Sequence, residues 1–127
     1  MRRMKFGAAV WNAWRQDHPE APVVLDGADL DGMILTGIDL SGASLRGASL
    51  HAANLMNANL RGADLSGADL KEADLITASL QGACLTGANL YEADLLGADL
   101  TGAICTAADL KGALHVPDGR AVGSSDS

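Results

Sequence analysis

Apolar residues recur every five positions from Ala21 to Leu110, through eighteen in-phase units such as DGADL, SGASL, RGADL and KEADL. The fifth place of each unit is Leu in seventeen of the eighteen, with Cys105 the exception. The third place is Ala in fifteen, with Val23, Met33 and Ile38 the exceptions. A period of five suits neither regular element. On an α-helix, five residues advance about 500°, so successive Leu would wander around the whole surface. On a flat strand, successive Leu would alternate faces. Every Leu can point inward only if the chain bends once per unit, always in the same sense, and so closes coils that stack on one another. The remaining places agree with a bend. Asp, Asn or Ser usually precedes Leu, and these side chains hydrogen-bond nearby backbone at turns. Gly stands two residues after the fifth place in twelve of eighteen cases, where a missing Cβ eases the corner. Leu and Ala are the expected core, and the other three places are expected to face water.

The pattern changes at both ends. Residues 2–16 predict a helix, with Met4, Gly7, Ala8, Trp11 and Trp14 on one face and Lys5, Asn12 and Gln16 opposite. Pro19 and Pro22 end it. The segment 1–20 is expected to be an α-helical cap, with Met4, Trp11 and Trp14 covering the first coil as terminal repeats of solenoids must be covered. The competing reading is a membrane-surface or partner helix carrying Arg2, Arg3 and Lys5. Residues 21–114 form the repeat region. Residues 115–127 predict a turn at Val116-Pro117-Asp118-Gly119 followed by a disordered tail. Either Val116 and Pro117 cover the last coil, or two chains meet there.

Composition narrows the packing. Hydrophobic residues make up 48% of the chain and aromatics only 3%. A core of Ala and Leu alone implies a regular, repeated cell. The net charge of −7 is unevenly spread: residues 25–114 carry twelve acids against four bases, and residues 1–24 carry four bases against two acids. An acidic body argues against direct nucleic-acid binding, which needs Lys and Arg, and suits a basic protein partner. The basic start lacks a small-residue cleavage site, and no apolar run is long enough to span a bilayer, so a cytoplasmic protein without membrane attachment is expected.

The repeat closely resembles the pentapeptide-repeat family, written A(D/N)LXX, over about residues 21–114. The segment WNAWRQDHPEAP is similar to leaders that precede such repeats in bacterial proteins. The resemblance implies an all-β solenoid, a right-handed quadrilateral β-helix with four units per coil. Eighteen units then make about 4.5 coils, a rod of roughly 22 Å. It also implies a binding module rather than an enzyme. Related proteins often dimerise end to end, and some mimic duplex DNA and bind type II topoisomerases such as gyrase. The acidic body favours that last role. The length disfavours it, since roughly 22 Å of duplex carries about thirteen charges.

Four units per coil sort the outward positions into columns twenty residues apart. One column carries Thr36, Met56, Ile76 and Leu96. Met56, Ile76 and Leu96 are the candidate contact stripe, for a partner or for self-association, because aligned apolar residues on a polar rod mark a contact surface. A second column carries Asp31, His51, Lys71, Tyr91 and Lys111 beside Glu72 and Glu92, and its mixed signs predict ion pairs between coils. The other two columns, through Arg46 and Arg61, read as solvated surface. No catalytic, cofactor or metal constellation is expected. Cys84 takes an outward place and Cys105 an inward one, so they should diverge. His18, His51 and His115 are far apart along the chain. Asp29, Asp69 and Asp109 share a column with Ser49 and Asn89 between them, which is too few carboxylates for a calcium site. A Leu-filled interior leaves no concave site for catalysis.

Overall fold

The computed structural model describes residues 2–117, with side chains from Met4 onward. Parallel β-bridges join residues twenty apart, from Val24 with Ser44 through to Asp94 with Leu114. Four columns follow, which define the faces of a solenoid. Face 1 runs through Val24, Ser44, Asp64, Cys84 and Ile104, and face 2 through Asp29, Ser49, Asp69, Asn89 and Asp109. Face 3 runs through Ile34, Asn54, Asp74, Asp94 and Leu114, and face 4 through Asp39, Asn59, Ser79 and Asp99. Each is followed by a two-residue corner carrying the same number: residues 26 and 27 begin corner 1, 31 and 32 corner 2, 36 and 37 corner 3, and 41 and 42 corner 4. The bridges are isolated single residues, because one unit leaves only one bridging position between two corners.

The backbone accounting explains why five residues suffice. In the unit of Leu25, the amide of Leu25 donates to Ser44 O at 2.7 Å and that of Gly27 to Arg46 O at 2.9 Å, both one coil onward. Ser44 N donates back to Val23 O at 2.9 Å, and Ala28 N closes the corner on Leu25 O at 3.0 Å. The remaining amide, at the first place of a unit, is taken by the side chain two residues before it. Ser66 N donates to Asp64 Oδ1 at 3.0 Å, Met56 N to Asn54 Oδ1 at 3.0 Å and Lys71 N to Asp69 Oδ1 at 3.0 Å. This is the physical reason for Asp or Asn before Leu. After Ser44 and Ser49, a carboxylate from the coil below takes over: Arg46 N donates to Asp26 Oδ1 and His51 N to Asp31 Oδ1.

The interior is Leu and Ala, as the pattern requires. The fifth-place Leu residues from Leu30 to Leu95 and the third-place Ala residues from Ala43 to Ala93 are essentially inaccessible, and Cys105 is buried in the place of a Leu. No polar or charged residue among those described is buried. At the second position of all eighteen corners φ lies between +56° and +73°. Twelve of these residues are Gly, and the other six are Ala52, Asn57, Glu72, Thr77, Glu92 and Ala107.

The N-terminal segment departs from the expected single helix over 2–16. A 3-10 turn, Arg2–Phe6, is separated from α1, Ala8–Asp17, by Gly7 at φ 97°, a conformation a helix interior does not allow. Met4 and Trp11 are buried, and Ala8 and Trp14 pack partly against the same core. Asn12, expected on the solvated side, bonds to the first coil instead: its Nδ2 donates to Gly37 O at 3.0 Å and its Oδ1 accepts from Asp39 N at 2.8 Å. Trp11 Nε1 and Arg15 Nη1 donate to Asp39 O at 2.7 and 3.1 Å, and Arg15 Nη2 donates to Ser41 O at 3.0 Å. Asp39 has no coil beneath it to pair with, so side chains from α1 fill the ladder positions. At the other end, Val116 packs partly against the core. The rest of the expected turn and tail, residues 118–127, lies outside the described residues.

Candidate interaction faces

Met56, Ile76 and Leu96 fall in register at corner 3. Asn57 N donates to Ile76 O at 2.9 Å and Thr77 N to Leu96 O at 2.8 Å, so consecutive members of the stripe are one coil apart. Met56 and Ile76 are half-buried, and Leu96 is 48% exposed. The corner places them there because Asn54, Asp74 and Asp94 each accept the amide two residues on, at 3.0, 3.0 and 3.1 Å. Two further apolar side chains lie on the adjoining face 3, at its ends: Ile34, 74% exposed, and Leu114, 52% exposed. Both replace the usual Asp or Asn of the bridging position, so neither falls in the corner column that holds the stripe. Their signal is visible in the units DGMIL and KGALH.

Corner 2 carries the mixed-charge column. His51 Nε2 lies 3.0 Å from Glu72 Oε1, an exposed pair linking two coils. Lys71 Nζ sits 5.7 Å from the centroid of Tyr91, one coil further on. Exposed pairs of this kind contribute at most about 1 kcal/mol. On face 3, His115 Nδ1 lies 3.1 Å from Asp94 Oδ1, and that hydrogen bond, with the Leu96 amide, holds the Asp94 carboxyl below its ordinary range. On face 1, the Ser66 hydroxyl and amide, then Arg46 at 3.2 Å, lower the Asp64 carboxyl in the same way.

Of the two cysteines, Cys84 is half-exposed and Cys105 buried. Hydrogen bonding to Ser66 and Thr86 lowers the Cys84 thiol. Among the described residues no group of three or more His, Cys, Asp or Glu is arranged to hold a metal ion. No helix among them is long and apolar enough to cross a membrane. The aromatic side of the N-terminal segment faces the solenoid, and its outward side presents Phe6 and Val10.

Comparison with known proteins agrees with this architecture. Pentapeptide repeats match in eight copies, across residues 24–62, 53–90 and 78–114. The chain belongs to the pentapeptide repeat family, whose members are right-handed quadrilateral β-helices. It is similar to the crystal structure of a pentapeptide repeat protein, Rfr23, from the cyanobacterium Cyanothece 51142, at 31% identity and TM-score 0.66, covering 84% of this chain and 91% of that one. It is also similar to alr5209, a pentapeptide repeat protein from Nostoc Pcc 7120, at 36% identity and TM-score 0.57, covering 84% and 74%. Full-length QnrB1, described as a plasmid-mediated fluoroquinolone resistance protein, shares the fold at 18% identity and TM-score 0.52, covering 72% and 70%. No curated protein sequence gives a significant match.

Proposed function

We propose that the chain is a non-catalytic protein-binding module whose contact surface is the stripe of Met56, Ile76 and Leu96. Proteins of this family are generally structural or binding modules. The observation that carries the reading is three apolar side chains held in register at one corner, while the matching positions at the other corners are polar or charged, Tyr91 apart. The body is a rod of about 4.5 coils, closed at its first coil by the segment of Met4, Trp11 and Trp14. Its partner is a protein, favoured to be basic by the twelve acids against four bases over residues 25–114. The reading includes neither direct nucleic-acid binding nor membrane attachment, and its setting is cytoplasmic.

The test replaces Met56, Ile76 and Leu96 together by Lys. These side chains lie outside the Leu core, so the thermal transition should stay within a few degrees of the parent. Cross-linked partners, or a homodimer formed through the stripe, should be lost. Retention of the same partners by a folded triple variant would sink the stripe.

The acidic body favours a second reading, a DNA-mimicking binder of a type II topoisomerase such as gyrase, in which two chains meet through their C-terminal coils to double the length of the acidic surface. A gyrase supercoiling assay beside light scattering separates the two. Inhibition by a dimer, relieved by salt, supports the mimic, and no inhibition at tens of micromolar removes it.

A further inference from the structure

Besides His115, which follows Leu114, six non-Gly residues are left-handed, and five of these six belong to the two corners that border face 3: Ala52, Glu72 and Glu92 at corner 2, and Asn57 and Thr77 at corner 3. Corners 1 and 4 keep Gly at residues 27, 42, 47, 62, 67, 82, 87 and 102, leaving only Ala107 as an exception. An added Cβ at Gly42, Gly47, Gly62, Gly67, Gly82 or Gly87 would meet nothing within 4 Å, so space does not exclude side chains from those corners. The backbone preference against this conformation is the same at every corner. Face 3 is therefore the side where the chain carries extra side chains against a local conformational cost, and strained positions of this kind gather at functional surfaces.

The chemistry of that side is two-part. Corner 3 supplies Met56, Ile76 and Leu96. Within two successive coils, Glu72, Asp74, Glu92 and Asp94 add four carboxylates. The cations nearby are Lys71, which lies against Tyr91, Lys111 one coil beyond Tyr91 at the same corner, His51 beside Glu72, and His115 beside Asp94. A surface with an apolar edge and an acidic field calls for a ligand with an apolar stripe bordered by Lys or Arg.

Spacing decides the ligand's conformation. From Met56 to Leu96 is two coil steps, about 9.6 Å at the usual strand separation of ~4.8 Å. Residues seven apart on an α-helix are about 10.5 Å apart. On an extended strand, same-side residues four apart are separated by about 13 Å. A helix laid along the rod axis therefore meets all three coils within about 1 Å, whereas a strand runs out of step by over 3 Å. Area weighs against a stable side-by-side dimer through this face alone. One unit wide, at most ~17 Å, by a rod of roughly 22 Å, the face offers under about 400 Å², against ~800 Å² per partner in stable complexes.

We propose that face 3 and its two corners form a docking surface for a basic amphipathic α-helix of another protein, lying parallel to the rod axis. This rests on the stripe reading above and adds the conformation, charge and direction of the ligand. The probe is a fluorescent, lactam-bridged 14-residue helix with Leu at its fourth, eighth and eleventh positions and Lys at the positions bordering them. Two further peptides serve as comparisons: the same helix with Glu for Lys, and an unbridged Pro-containing peptide of equal charge and Leu content. Anisotropy should give micromolar affinity for the basic helix and at least tenfold less for either comparison peptide. Glu72→Gln, Asp74→Asn, Glu92→Gln and Asp94→Asn in combination should weaken it at least tenfold, and the two Asn variants keep the turn bond, as Asn54 does natively. Asp69→Asn with Asp109→Asn on face 2 should change it less than twofold. Ile76→Lys should abolish it.

Equal losses from the face 2 and face 3 variants, or no binding of the basic helix, would overturn the proposal. Equal binding of the extended peptide, lost in Ile76→Lys, would overturn the helix and leave the stripe standing. Binding unchanged in Ile76→Lys would remove both.

Discussion

Corners 1 and 4 differ from corners 2 and 3 in side chains but hardly in backbone. Gly67 at corner 1 has φ 68° and Thr77 at corner 3 has φ 56°, and each amide donates to a carbonyl one coil onward at 2.8 Å. The fold therefore demands a left-handed residue, not a glycine. Gly is the low-cost answer where nothing else is asked of the corner. Where the surface carries a side chain, the stacked coils hold the residue in place against its preference. Thr77 is the sharpest case, because a β-branched residue in this region is a true outlier. Its single hydroxyl proton is within reach of Asn57 Oδ1 and of Ile76 O, and one such bond offsets part of the cost.

The largest effect tests whether the corners share one interior. Leu65 and Leu75, before corners 1 and 3, are both inaccessible. Leu65→Ala and Leu75→Ala should each cost about 3 kcal/mol by chemical denaturation. A difference above about 1 kcal/mol would mean that the corners differ inside as well as outside.

Next in size, Gly67→Thr should cost about 2 kcal/mol, because φ is unfavourable and no neighbour of the new Cβ compensates. An unchanged denaturation midpoint would show that the stack relaxes freely and that Thr77 carries no strain. Asp64→Ala should cost about 1 kcal/mol by removing the acceptor for Ser66 N and Oγ, while Asp64→Asn should cost less because its amide oxygen can still take the Ser66 amide. The reverse corner change, Thr77→Gly, should stabilise by about 0.5 kcal/mol, the released strain less the lost hydroxyl bond.

The smallest effect is on pH. The carboxyls of Asp64, Asp94 and Asp99 are lowered in the folded chain, chiefly by hydrogen bonds from Ser66, His115 and Thr101 respectively. A lowered folded value means the contribution is present above the unfolded value near 3.9 and is lost as pH falls through the folded values. Thermal midpoints measured from pH 5 down to pH 2 should fall, and combined Asp→Asn replacement at these three positions should flatten that slope. An identical slope would show that other groups govern acid unfolding.

Much of this was legible in the residues. A five-residue period with Leu and Ala at constant places admits only a chain that bends once per unit, and the Asp or Asn before Leu follows from one amide per unit needing a local acceptor. The stripe of Met56, Ile76 and Leu96 followed once units were stacked four to a coil. Less was visible at the first coil. Asn12 and Arg15 read as interruptions of an apolar helix face, yet they bond to the backbone of Gly37, Asp39 and Ser41. Nothing local marks them, because their partners lie more than twenty residues away. Gly7 is a helix breaker by nature, but only its φ of 97° shows that the segment divides there.

The sequence by itself determined the solenoid, its Leu and Ala interior and the side chains that close each corner, because these depend on repeated contacts within one unit and its immediate neighbours. The tertiary structure alone decided which unpaired backbone groups α1 satisfies and which corner residues are held left-handed without being Gly. Those outcomes depend on where the chain returns after twenty residues or more, and on stacking energy outweighing a residue's own preference, neither of which is contained in a single unit.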